Sequence, residues 1–179
     1  HQYDLMLVMD LYDMEGNKKS LGQVFAEIGP STTRLVTAIK RQVREATKKE
    51  GAFLSLRILN LDKEIVSDNL YWLPDSTGNY SCLQNMKQVK PDVSAKLVSK
   101  GKVEVKITAP AGGPIAFFNR LSLVDPVSRK RILPVFYDDN YISVLPGESK
   151  TVTMEFAGDQ KPMLELEGWN LPTQYLEIQ

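Results

Sequence analysis

The chain has 179 residues, 42% hydrophobic and 25% charged, which suits one large domain or two small ones. Lysine plus arginine and aspartate plus glutamate both number 22, so no net charge draws the chain to nucleic acid or an anionic membrane. No apolar run approaches the roughly 20 residues that span a bilayer. Lone Cys82 excludes an intrachain disulfide, and the single imidazole, His1, argues against a Cys–His pair.

The opening stretch, HQYDLMLVMDLYD, reads as a strand rather than as a signal peptide. An opening inside a strand pattern without an initiator Met suggests an excised piece of a longer protein. Leu5, Leu7, Met9 and Leu11 alternate with Met6, Val8, Asp10 and Tyr12, a near-continuous apolar run expected of a strand covered on both faces. Glu15, Gly16 and Asn17 supply a turn, Leu21 to Ile28 the return strand, and Gly29-Pro30 its end. Leu35, Val36, Ile39, Val43 and Ala46 then fall at helical spacing, with Lys40, Arg41, Arg44 and Lys48 opposite. This predicts a helix over 33–49, capped by Ser31 or Thr32 and closed by Gly51. Its cationic side lacks interleaved aromatics and reads as a solvated face. Strands follow at Ala52 to Leu59 and Ile65 to Leu73.

The first unit, residues 1–75, therefore holds about four strands and one helix, fewer than the roughly seven strands of a complete immunoglobulin-like sandwich. The expected missing strands lie ahead of His1. Residues 76–90, which contain Ser, Gly and Asn and few paired apolar positions, read as a linker. Asn79-Tyr80-Ser81 within it fits the short N-glycosylation pattern.

Residues 91–179 alternate more clearly. Val93, Ala95 and Leu97; Val103, Val105 and Ile107; Ile115, Phe117, Leu121 and Leu123; Ile132 to Tyr137; Tyr141 to Leu145; Val152, Met154 and Phe156; and Leu164 with Leu166 make seven strands. Leu145-Pro146-Gly147-Glu148 suits a type II turn. The predicted fold class is mostly β: two immunoglobulin-like antiparallel β-sandwiches, the first incomplete at its N-terminus and carrying the helix.

Little in the chain looks catalytic. Glu165 and Glu167, at i and i+2, share one face of a strand, which is the look of a solvated sheet face. Asp138, Asp139 and Asn140 offer oxygens, too few alone for calcium, and read as a turn bonding its own backbone. Tyr137 and Tyr141 flank that loop, and Trp169 follows Glu167 and Gly168; aromatic faces beside such groups serve sugar binding or packing. Tyr137, Asp138, Asn140, Tyr141 and Trp169 are therefore the candidates for sugar or interdomain contact. No phosphate loop, zinc spacing, nucleophile elbow or dinucleotide fingerprint is present, so no catalytic residue, metal or cofactor is assigned.

Four segments carry a family resemblance: SDNLYWL at 67–73, AFFNRLSLVD at 116–125, RILPVFYDDNYISVLPGES at 131–149 and EGWN at 167–170. In this order they resemble the C-terminal sandwiches of family 2 glycoside hydrolases, the group of exo-β-glucosaminidases, β-mannosidases and mannosylglycoprotein endo-β-mannosidases. The helical segment at 33–49 departs from that pattern. The resemblance implies a non-catalytic C-terminal accessory region of a retaining hydrolase that removes β-linked mannose or glucosamine. Its implied partner is the catalytic barrel of the same parent, and its implied place is periplasmic or secreted. A carbohydrate-binding module, with oligosaccharide as partner, and a surface adhesion module are the alternatives.

Overall fold

Strands dominate the structure, a computed structural model that describes residues 3–157 and 161–179; His1 lies outside them. The chain divides into two compact units, His1–Met86 and Lys87–Gln179. Both are antiparallel: the first holds one sheet and the second stacks two, in the immunoglobulin-like layering that the alternation predicts.

In the first unit, β1 (Tyr3–Tyr12), β2 (Lys18–Ile28), β3 (Ala52–Leu59) and β4 (Ile65–Leu73) form one sheet in the order β2-β1-β3-β4. Leu7, Met9 and Leu11 lie opposite Ile58, Leu56 and Leu54, so one face of the sheet is apolar. A register shift after Met9 leaves Leu21 as the extra residue beside Gly22, whose φ is 114°. The helix, α1, spans only Lys40–Ala46, shorter than the predicted 33–49. Three physical causes shorten it. Ser31 sits at φ 55° and Thr32 Oγ1 donates to Gly29 O at 2.8 Å, so both close a turn after β2 instead of capping a helix. The stretch 32–39 holds three threonines, weak helix formers. Leu35 points to solvent and gives a helical face no anchor there. Ile39 and Val43 do pack, against buried Leu11, Ala52 and Leu54. Gly51 follows at a close approach: a Cβ there would lie 2.5 Å from Leu73 O and 2.7 Å from Cys82 Sγ.

After β4, Asp75 Oδ1 accepts from the N–H groups of Thr77 (2.8 Å) and Asn79 (3.0 Å). A single 3-10 turn, Ser81–Asn85, then buries Leu83. No helix among the described residues is long and apolar enough to cross a membrane.

The second unit stacks two four-stranded sheets. One runs β5 (Asp92–Ser99), β6 (Lys102–Thr108), β10 (Ser149–Phe156), β8 (Val135–Tyr137); the other runs β12 (Leu171–Glu177), β11 (Met163–Gly168), β7 (Ala116–Val124), β9 (Ile142–Val144). Val103, Val105, Ile107, Val152 and Met154 from the first meet Leu121, Leu123, Val144, Leu164 and Leu166 from the second in one core. The predicted type II turn forms, with Gly147 at φ 77° and Glu148 N bonded to Leu145 O at 3.0 Å. Strand β12 exceeds the seven predicted, because Leu171–Glu177 mixes proline and polar residues and shows little alternation. Beyond it the chain returns to β5: Leu97 N donates to Gln179 O at 2.7 Å and Gln179 N to Ala95 O at 3.1 Å.

Strand β7 departs from the predicted face. Its pairing to β9 shifts register between Ala116 and Asn119, around Phe118 at φ 56°. The bulge reverses the alternation, so Ala116 rather than Ile115 and Phe117 joins Leu121 and Leu123 in the sandwich core.

Candidate functional site

The bulge in β7 organises an aromatic surface. Phe118 N donates to Ser143 Oγ at 3.1 Å. Asn119, fully buried, donates from Nδ2 to Ala116 O (2.7 Å) and Ile142 O (2.8 Å), stitching the bulge to β9. Asn140 grips the other side: its Oδ1 accepts from Leu121 N (2.8 Å) and Tyr141 N (2.9 Å), and its Nδ2 donates to Leu121 O at 3.0 Å. Asn170, almost fully buried, accepts from Phe117 N at 2.9 Å and donates to Lys87 O and Ile115 O, each at 3.0 Å.

Four rings follow one another across this frame. Trp169 stands edge-on to Phe117 (centroids 6.4 Å, 72° between planes), Phe117 is 5.9 Å from Phe118, and Phe118 is 5.2 Å from Tyr141. Phe117 is buried, whereas the two ends are open: Trp169 is 53% and Tyr141 51% exposed. Tyr141 shares with Phe118 a φ of 56°, a left-handed conformation that bulky residues rarely adopt and that costs on the order of 1–3 kcal/mol.

The structure thus sorts the predicted contact residues. Tyr141 and Trp169 are displayed and joined through two phenylalanines. Tyr137, opposite Met154, packs on the core instead, and burial pushes its phenol above the ordinary value. Asp138 Oδ1 accepts from Thr153 N at 2.9 Å and Asp139 Oδ1 from Asn140 N at 2.8 Å; the loop bonds backbone, as a turn does. Among the described residues no group of three or more His, Cys, Asp or Glu side chains could hold a metal. Phe118 and Asn170 escaped sequence reasoning. The break in alternation at Phe117-Phe118-Asn119 and the asparagine after Trp169 were the signals available.

Glu165 is not on a solvated face. It is 8% exposed, accepts from Tyr175 Oη at 3.0 Å and lies 3.9 Å from Arg120 Nη2, which also pairs with Glu167. The bond to Glu165 holds the Tyr175 phenol above its usual range, and the Arg129 guanidinium covers the Tyr175 ring at 4.4 Å. Glycoside hydrolysis needs two carboxylates flanking a scissile bond; these two share a guanidinium instead. In the turn after β7, Asp125 Oδ1 accepts from Ser128 N (2.6 Å) and Ser128 Oγ (2.8 Å), bonds that hold its carboxyl below the ordinary range.

Comparison with known proteins gives this frame its relatives. The family model described as Exo-beta-D-glucosaminidase Ig-fold domain matches residues 69–171. The chain belongs to that family. It is 23% identical over 183 residues to an exo-beta-D-glucosaminidase of Arthroderma benhamiae, covering 92% of this chain and 20% of that protein. An exo-beta-D-glucosaminidase of Amycolatopsis orientalis is 31% identical over 113 residues, or 58% of this chain and 11% of that protein. A mannosylglycoprotein endo-beta-mannosidase of Lilium longiflorum is 25% identical, over 70% of this chain and 14% of that protein. The chain thus spans a fifth or less of these relatives. The fold is also that of part of the Amycolatopsis orientalis exo-chitosanase CsxA, with TM-score 0.63 and 23% identity over 99% of this chain and 24% of that one.

Proposed function

We propose that this Ig-fold chain is a non-catalytic accessory region of a larger exo-β-glucosaminidase-type hydrolase, packing on and stabilising that parent's catalytic barrel. The parent, in this reading, cleaves terminal β-linked glucosamine or mannose with retention. The carrying observation is the family match across 69–171, which reaches from β4 to the start of β12. The chemistry agrees, since the adjacent carboxylates Glu165 and Glu167 are tied to Arg120 and Tyr175. The test is direct. Purified chain, given p-nitrophenyl β-glucosaminide and β-mannoside, should release no nitrophenol, and sustained turnover would overturn the reading. The parent's catalytic barrel, produced separately, should melt at a higher temperature when mixed with this chain. An unchanged melting curve at saturating chain sinks the packing role.

A further inference from the structure

Asn79 is the one asparagine in the chain that opens an Asn-X-Ser/Thr triplet, Asn79-Tyr80-Ser81. The fold puts this triplet between β4 and the 3-10 turn Ser81–Asn85, with all three residues exposed. Asp75 fixes the backbone ahead of it. Its Oδ1 accepts from Asn79 N at 3.0 Å, and its own N–H donates to Asn79 O at 3.0 Å. Gly78, at φ 84°, supplies the left-handed step that closes the loop. Asn79 therefore has a defined place on the surface.

Its side chain is arranged for substitution at nitrogen. Asn79 Oδ1 accepts from Ser81 N at 2.8 Å, an Asx-turn. Asn79 Nδ2 and the Ser81 hydroxyl have no hydrogen-bond partner among the described residues. Replacing one Nδ2 hydrogen by a sugar therefore breaks no protein bond and leaves the turn intact. Other asparagines lack this freedom. Nδ2 of Asn17 and Asn60 donates to Asp13 and Glu64. Nδ2 of Asn119, Asn140 and Asn170 donates to backbone carbonyls. A glycan is bulky and hydrophilic, and only an exposed amide can carry one in a folded chain.

We propose that Asn79 is the acceptor of an N-linked oligosaccharide when the protein enters a secretory compartment. The donor class is an oligosaccharide joined through C1 of its first sugar to a lipid diphosphate, and the catalyst is the membrane transferase that uses such donors. Nδ2 attacks that C1. The Nδ2–C1 bond forms as the C1–O bond breaks, and the lipid diphosphate leaves with the electron pair. The displaced amide proton passes to a base of the transferase, and nothing is oxidised or reduced. The Ser81 hydroxyl is the group read beside the amide. The sugar also assigns a side: loop 75–81 faces solvent in the parent protein, so the barrel packs elsewhere on the chain. That consequence rests on the accessory reading proposed above; the acceptor site does not.

Cell-free translation of the full chain behind a cleavable leader, with and without microsomes, tests this. Resistance to added protease selects the chain that has entered them. That chain should show one discrete step of lower mobility. Peptide-N-glycosidase should reverse the step and leave aspartate at 79, read by peptide mass. Asn79→Asp keeps an acceptor for the Ser81 N–H but removes the nitrogen, and Ser81→Ala keeps the Asx-turn but removes the hydroxyl. Both should abolish the step, a readout that does not depend on how well either variant folds. Chain secreted from a eukaryotic host should melt at the same temperature before and after the glycan is stripped, since neither form loses a bond. Three results would each overturn the proposal: protected chain of unchanged mobility, a step that survives in either variant, or a glycosylated chain that melts well below the stripped one. None of them touches the accessory reading, which stands on turnover by the chain and on the barrel's melting curve.

Discussion

The two units use the same strand chemistry and reach different degrees of closure. In the second, both sheets bring an inner face to one core, and Val103, Val105, Ile107, Met154, Leu164 and Leu166 are sealed from water. In the first, a single sheet is partly covered by a two-turn helix over Leu11, Ala52 and Leu54, while β4 is exposed along most of its length and Phe25 is 75% open. A sheet buries a face only against a second layer. Alternation in sequence creates an apolar face; it does not provide the layer that covers it.

That contrast can be broken most decisively by separating the units. A fragment of residues 87–179 should unfold cooperatively in urea, and one of residues 1–86 should bind a hydrophobic dye and unfold broadly. A cooperative 1–86 would remove the asymmetry. Within the intact chain, Met154→Ala, in the sealed core, should cost roughly 2–5 kcal/mol by denaturant titration. Ile65→Thr on the open β4 should stay within about 0.5 kcal/mol. Asn170→Ala strips partners from the buried Phe117 N–H and from the Lys87 and Ile115 carbonyls, and should cost roughly 1–3 kcal/mol for each group left unsatisfied.

The smallest effect is pH-dependent. Asp125 titrates below the ordinary carboxylate range when folded, because the Ser128 N–H and hydroxyl favour its ionised form. Its contribution is complete above the unfolded value and disappears as pH falls through the lower folded one. Asp125→Asn should therefore flatten the acid limb of the stability curve and leave the alkaline side unchanged. Asp75, held low chiefly by the Asn79 N–H, should behave alike in the first unit.

What the sequence reveals depends on how local the cause is. The strands at 103–107 and 152–156 were legible because each residue's burial follows from its own parity. The Pro146-Gly147 turn was legible because its geometry resides in adjacent residues. The β7 bulge was not: Asn119 and Ile142, far apart in the chain, fix it together. The burial of Glu165 was hidden for the same reason, since Tyr175 and Arg120 come from neighbouring strands. The helix failed differently. The pattern at 33–49 has the right period, but its first half has no surface to press against. Of the candidate surface, the aromatic types were readable. Which ring turns outward was not, because Tyr137 and Tyr141 differ only in the φ values and pairings around them.

The return of the chain to β5 has a consequence for colloidal behaviour. Strand β5 borders its sheet, and Leu97 and Val98 are half open beside it. The backbone groups of Ala95 and Leu97 that would otherwise be available to a neighbouring molecule are occupied by Gln179. An unprotected border of this kind templates edge-to-edge association. Removing Gln179 alone, which leaves Ile178 on the core, should therefore show itself first as turbidity that rises with protein concentration, with little change in melting temperature.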